Sequence, residues 1–236
     1  MMGKGDALER GWETELVQVF GTSDAPVPVD QTGRVLGKRA QETRQRILES
    51  TQKLLDAQSL RELRVIDIAR DVGASPATFY QYFRDVEEAV LALAEEASLE
   101  MPAVARWLEG SWQGAAGLER ARAIVSAFME LWDHHHAVLR VRNLASDEGD
   151  ERFIAVRGRA MSPVLRALAK QIETSQAAGR ISPDEDPVAA AAATGAILER
   201  MAAYQRELES AGVSREQLIE TSARIIHRCV TGEGVV

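Results

Sequence analysis

Apolar residues recur along most of the chain at three- and four-residue intervals, the spacing of a one-sided α-helix. Nowhere do they alternate with the period of two that marks a half-buried strand. From Lys38 the stripe Ile47, Leu48, Thr51, Leu54 and Leu55 predicts a first helix of about four to five turns. A short second helix from Val65 keeps Val65, Ile68, Ala69 and Val72 on one face, and Gly73 ends it. Ser75 is then a good N-cap, and Pro76 suits a first helical turn because its missing N–H has no partner there. The third helix so begun carries Phe79 and Phe83 four apart on its buried side, while Thr78, Gln81, Tyr82 and an edge of Tyr80 face away. Asp85 and Glu88 form a capping box for a fourth helix, expected to run to about residue 107.

Downstream the periodicity predicts further helices over about 117–132, 135–144, 150–175, 186–209 and 214–230, the last two opened by Asp186-Pro187 and by a Ser214/Gln217 capping box. Upstream, six of the 17 glycines precede residue 38, along with Pro26 and Pro28. Residues 1–37 therefore read as a flexible N-terminal extension, in which Trp12, Leu16, Val17, Val19 and Phe20 are the makings of an amphipathic docking turn. The expected organisation is all-α. It comprises the extension 1–37, a three-helix helix-turn-helix module over 38–84, and a larger helical domain over 85–236.

Charge sharpens this division. The 236 residues carry a formal net charge of −8, but residues 38–84 hold nine basic and six acidic side chains, a net +3, while 1–37 and 85–236 carry −3 and −8. A compact positive module beside an acidic body lets one face approach phosphates while the rest is repelled from them. Hydrophobic residues make up 45% of the chain, yet no apolar run reaches the roughly 20 residues of a membrane span, so a soluble, cytoplasmic protein without membrane partners is expected. The lone cysteine, Cys229, excludes an internal disulfide and any multi-cysteine zinc site.

The stretch from Val65 to Phe83, with Ile68-Ala69, Val72-Gly73-Ala74-Ser75 and Thr78-Phe79-Tyr80-Gln81-Tyr82-Phe83 in order, resembles the DNA-binding signature of TetR-type one-component transcriptional regulators. The resemblance is specific over about residues 40–95 and architectural beyond. It implies a dimer whose two third helices enter successive major grooves of a palindromic operator in double-stranded DNA. It places Thr78 and Tyr82 on phosphates and Tyr80 and Gln81 nearer base edges, in keeping with hydroxyl–phosphate and glutamine–adenine pairing. Ser75 and Ala77 are small enough for close approach, and Arg34, Lys38, Arg39, Arg44 and Arg46 lead into the first helix as cations for the backbone. Two positions depart from the family. Arg64-Val65 replaces the usual Ser or Thr cap of the second helix, and Val86 stands where a phosphate-binding lysine is common, leaving Arg84 or the helix terminus to substitute.

For the larger domain the resemblance implies a pocket whose occupant changes the spacing of the two DNA-binding modules. Phe128, Trp132, Phe153, Met161, Leu198 and Met201 are its candidate lining, with Asn143 and Arg157 as polar anchors for a small hydrophobic ligand. The last two helices are the expected dimer interface, through Ala192 and Gly195 on one and Leu218, Ser222, Ile225, Ile226 and Cys229 on the other. The implied function is a ligand-released repressor.

Other chemistry finds little support. In His134-His135-His136 successive side chains point about 100° apart, so no metal site is expected, and Asp133 with His136 lacks a second carboxylate-histidine pair. No glycine-rich phosphate loop, nucleophile elbow or zinc-protease motif is present, so no enzyme and no cofactor is expected. The alternative is a helical protein–protein interaction module that uses its positive region for a protein partner, without sequence-specific DNA binding.

Overall fold

The computed structural model describes residue 31 and residues 33–233, which are helical with short connections. The predicted docking turn at Trp12 to Phe20 lies outside the described residues, as does most of the extension. Helix α1 spans Lys38–Ala57, α2 Val65–Asp71, α3 Pro76–Tyr80 and α4 Val86–Ser98. A short α5, Met101–Ala105, continues as a 3-10 turn, Arg106–Leu108. The long helices α6, Gly114–Asp147, and α7, Glu151–Ala177, are followed by α8, Pro187–Ser210, and α9, Arg215–Thr231.

The chain divides into two compact units, and α6 and α7 each pass from one to the other. The N-terminal unit holds the described residues up to Leu99 together with His135–Arg157; the C-terminal unit holds Glu100–His134 and Gly158 onward. In the N-terminal unit, Ile47, Leu48 and Leu55 of α1, Ile68 of α2, and Phe79 and Phe83 share one core with Val90, Leu93 and Ala94 of α4. Val138 and Val141 of α6 and Phe153 and Val156 of α7 complete it, so this core runs well past residue 84. Gly73 supplies the turn between α2 and α3 with φ +67°, a left-handed conformation that glycine adopts without a Cβ clash.

One element differs from the expected pattern. The fourth helix stops at Ser98 rather than near residue 107. Continuing it would require Pro102 to donate to the Ser98 carbonyl, and proline has no N–H, so the chain breaks and restarts with Pro102 in the first turn of α5. The break expected between 117–132 and 135–144 falls where α6 leaves helical geometry, at His135 (φ −119°, ψ 22°), so the long α6 is two helical stretches joined across a kink.

In the C-terminal unit, Ile124 and Phe128 of α6, Val164, Leu168 and Ile172 of α7, Leu198 of α8, and Ile226 and Val230 of α9 are buried. Helix α8 approaches α7 closely at Gly195, where a Cβ would lie 2.6 Å from the Leu165 side chain. Buried Gln205 of α8 donates to the Met129 carbonyl (3.1 Å) and to Asp133 (3.0 Å) of α6, and Arg215 of α9 bridges Asp133 (2.8 Å) and the Gln205 carbonyl oxygen (3.0 Å). Among the described residues no helix is long and apolar enough to cross a membrane.

Candidate nucleic-acid interface

Helix α3 has five residues and little stability of its own, so its placement depends on its cap, on Phe79 and on Phe83 just beyond its end. The Ser75 hydroxyl accepts from the Thr78 N–H at 3.2 Å, and the two hydroxyls lie 3.1 Å apart. Phe79 and Phe83 are buried with ring centroids 5.7 Å apart. Anchored from beneath, the element turns Ser75, Ala77, Tyr80 and Gln81 to solvent, with Thr78 and Tyr82 half-buried. Tyr80 is 52% exposed, and its ring stands edge-on to Phe79. Gln31 closes the far end, donating from its side chain to the Tyr82 carbonyl (3.0 Å) and to Glu88 (3.1 Å) and from its N–H to the Gln81 carbonyl (3.3 Å).

The expected backbone cations divide by environment. Lys38 and Arg39 are exposed at the start of α1, as is Arg34 before it. Arg46, also exposed, donates to the Val72 carbonyl at the end of α2. Arg44 is different: its side chain is only 16% exposed, pairs with Glu96 of α4 at 3.1 Å and lies 5.3 Å over the Phe83 ring. Its guanidinium is thus engaged by a carboxylate and a ring of its own unit, a pairing that helix periodicity alone had no means to supply. Arg64, which the sequence marks as an unusual cap, opens α2 without a side-chain cap bond, and its exposed guanidinium sits 3.6 Å from Asp67. At the start of α4, Val86 is half-buried against the core. Asp85 accepts from the Glu88 N–H (2.7 Å) and Glu88 from the Arg84 N–H, so this terminus carries its own carboxylates and Arg84 is the cation beside it.

The residues expected to line a ligand pocket fall in both units. Phe128, Trp132, Met161 and Leu198 are buried and Met201 half-buried in the C-terminal unit. Phe153 lies in the core of the N-terminal unit, where Asn143 accepts from the neighbouring Arg142 (3.0 Å) and Arg157 pairs with Asp147 at 3.4 Å. Two buried charges went unread in the sequence: Arg142 of the N-terminal unit, 4% exposed, and Glu199 of the C-terminal unit, 6% exposed. A single charged residue within a helical stripe carries no periodic signal, although burial makes such groups costly unless partnered. Among the described residues no group of three His, Cys, Asp or Glu side chains is placed to hold a metal ion.

The expected dimer residues separate sharply. Leu218, Ser222 and Ile226 are covered by their own chain, Ile226 completely, and a Cβ at Gly195 would lie 2.6 Å from the Leu165 side chain. Ala192 and Ile225 are exposed and Cys229 is half-buried, its thiol pushed up by burial and by the nearby Glu185 carboxylate. A stripe on an amphipathic helix shows that one face is covered; it does not say which chain covers it.

Residues 106–236 match the family model described as the tetracyclin repressor-like C-terminal domain, more than half of the chain. Solved structures share the fold at low identity. A protein from Syntrophomonas wolfei assigned to the TetR-family transcriptional regulators is 18% identical, with 83% of this chain and 98% of that one covered at a TM-score of 0.60. The transcriptional regulator FadR from Bacillus subtilis, solved in complex with stearoyl-CoA, is 14% identical, with coverage of 80% and 99% and a TM-score of 0.59. The regulatory protein TetR from Rhodobacter sphaeroides is 23% identical, with coverage of 78% and 97% and a TM-score of 0.53. With this match over the C-terminal region and the helix-turn-helix of α2 and α3 before it, the chain belongs to the TetR family of transcriptional regulators.

Proposed function

We propose that this protein is a ligand-responsive repressor that binds a palindromic operator as a homodimer and is released by a small hydrophobic effector. The observation that carries the reading is the outward face of α3, where Tyr80 and Gln81 are exposed above a pair of buried phenylalanines. Gln81 has the donor–acceptor pair for an adenine edge, and Tyr80, Thr78, Tyr82, Ser75 and Ala77 border it as phosphate and close-approach groups. Lys38, Arg39, Arg64 and Arg84 supply the backbone charge, while Arg44 holds α1, α4 and Phe83 together behind them. The effector site is assigned to the aromatic and methionine residues Phe128, Trp132, Met161, Leu198 and Met201; the FadR neighbour was solved with a long acyl ligand, in keeping with an apolar effector. Helices α8 and α9 pair two copies through Ala192, Ile225 and Cys229. By linkage, an effector that weakens operator binding must itself bind the DNA complex more weakly.

The test is a fluorescence-anisotropy titration of the purified protein against its own upstream DNA and a scrambled duplex at two salt concentrations. Selective binding at two subunits per half-site pair, with an affinity that falls steeply with salt, is expected. Equal, weak binding to both duplexes would instead favour the protein-interaction reading.

A further inference from the structure

Helix α3 is closed at its start by Ser75 and held beneath by Phe79 and Phe83, but its end has no comparable local device. The Thr78 carbonyl accepts from the Gln81 N–H, and the Phe79 carbonyl from those of Tyr82 and Phe83. The carbonyls of Gln81 and Tyr82 come next, where a helix runs out of its own donors. Gln81 is the C-cap in right-handed conformation (φ −69°, ψ −25°), so no left-handed glycine folds the chain back over them.

One residue from far upstream meets both. The Gln31 N–H donates to the Gln81 carbonyl at 3.3 Å, and the Gln31 side-chain amide donates to the Tyr82 carbonyl at 3.0 Å and to the Glu88 carboxylate at 3.1 Å. A glutamine has three N–H hydrogens, one on the backbone and two on the side chain, and each of the three has an acceptor here. Glu88 lies in the first turn of α4 and also accepts from the Arg84 N–H. Gln31 therefore ties the end of α3 to the start of α4, all within the N-terminal unit.

Because the grip is on backbone, it sets where the Gln81 and Tyr82 side chains depart from the chain. Reading a base edge needs hydrogen bonds of narrow geometry, whereas the salt-dependent part of binding follows the number of charges brought to the phosphates. Gln31 is exposed and uncharged. Freeing the end of α3 thus costs sequence selectivity while leaving the phosphate charge unaltered.

We propose that Gln31 is a positioning residue for sequence readout, holding the Gln81–Tyr82 backbone at the angle from which the two side chains reach DNA. This rests on the DNA-binding reading above. The test uses the full chain with Gln31→Ala, which removes both side-chain bonds, and Gln31→Glu, which turns a carboxylate toward the Tyr82 carbonyl and Glu88. Each is titrated across salt against the upstream duplex and a scrambled one. For Gln31→Ala the ratio of the two affinities is expected to fall about fivefold, the low end of what one bidentate base contact supplies, with salt slope and melting temperature unchanged. Gln31→Glu is expected to lower it further. In hydrogen–deuterium exchange without DNA, amides 81–83 of Gln31→Ala are expected to exchange about tenfold faster, the scale of one or two lost hydrogen bonds.

An unsubstituted chain that fails to discriminate the duplexes would overturn the DNA-binding reading, and this role with it. Discrimination that survives Gln31→Ala would leave that reading standing and overturn the inference alone. A ratio that falls only together with the salt slope or the melting temperature would make Gln31 a general support of the fold, and unchanged exchange at 81–83 would show that the end of α3 does not depend on it; either result overturns the proposal.

Discussion

At the scale of single residues, the two cations Lys38 and Arg44 stand six positions apart on one helix and do different work. Lys38 is exposed at the start of α1, whereas Arg44 is held between Glu96 and the face of Phe83. An exposed lysine that neutralises a phosphate releases about one counterion on binding, and its loss lowers the salt slope by about one. A largely covered arginine that pairs and packs contributes to stability, through its stem and the ring as much as through its charge. Lys38→Ala is therefore expected to reduce the salt dependence of operator binding and leave the melting temperature in place. Arg44→Ala is expected to lower the melting temperature and leave the slope. Anisotropy titrations across salt, paired with thermal unfolding of the same two variants, separate these roles; the reverse pattern would return Arg44 to the DNA surface. Sequence alone had no basis for this distinction, because both residues sit in the same basic run and only Glu96, 52 positions away, sets them apart.

At the scale of elements, what the sequence revealed was whatever depends on neighbours a few residues away. The Ser75–Pro76 start, the Gly73 turn and the Phe79/Phe83 pair all follow from local chemistry and stand in the structure as expected. The end of α4 was legible too, in Pro102, but a continuing apolar stripe outweighed one residue whose effect is on the carbonyl four positions back. Contacts between distant elements were not legible, and the tie between α6 and α9 is one of them. Glu220 accepts from Arg122 at 2.6 and 3.0 Å and from Arg224 at 2.6 Å, and these guanidiniums pull its carboxyl from 4.5 down to about 2. A carboxylate whose pKa is depressed by folding stabilises the native state above its unfolded value and ceases to do so as pH falls through its folded one. The contribution of Glu220 is thus complete above about pH 4.5 and is lost between there and pH 2. Glu220→Gln is expected to be less stable than the unsubstituted chain at neutral pH, with the gap closing over that window. Urea unfolding at pH 6 and pH 2.5 checks it, and a gap that persists at pH 2.5 would show that the loss comes from packing rather than charge.

At the scale of the whole molecule, a dimeric regulator must keep two kinds of apolar surface apart: one that makes each chain fold and one that joins two chains. Neighbouring positions on α9 let them be told apart. Ile226 is fully buried by its own chain, and Ile225, one residue earlier and about 100° around the helix, is 42% exposed. Placing a carboxylate at Ile226 buries an unpaired charge in a packed core and leaves no room for relaxation, so Ile226→Glu is expected to unfold the chain or lower its melting temperature steeply. A carboxylate at Ile225 meets solvent in the single chain and the same carboxylate of the partner in a two-fold pair, where the cost is counted twice because an isologous contact repeats every change. Ile225→Glu is therefore expected to keep the helical signal and melting behaviour of an isolated chain while scattering light as a monomer, and to lose selective binding to a palindrome but retain weak binding to a half-site. A variant that remains dimeric would move the interface off this face of α9. An Ile225→Glu chain that unfolds together with Ile226→Glu would mean that the outward face, like the inward one, serves the fold of a single chain.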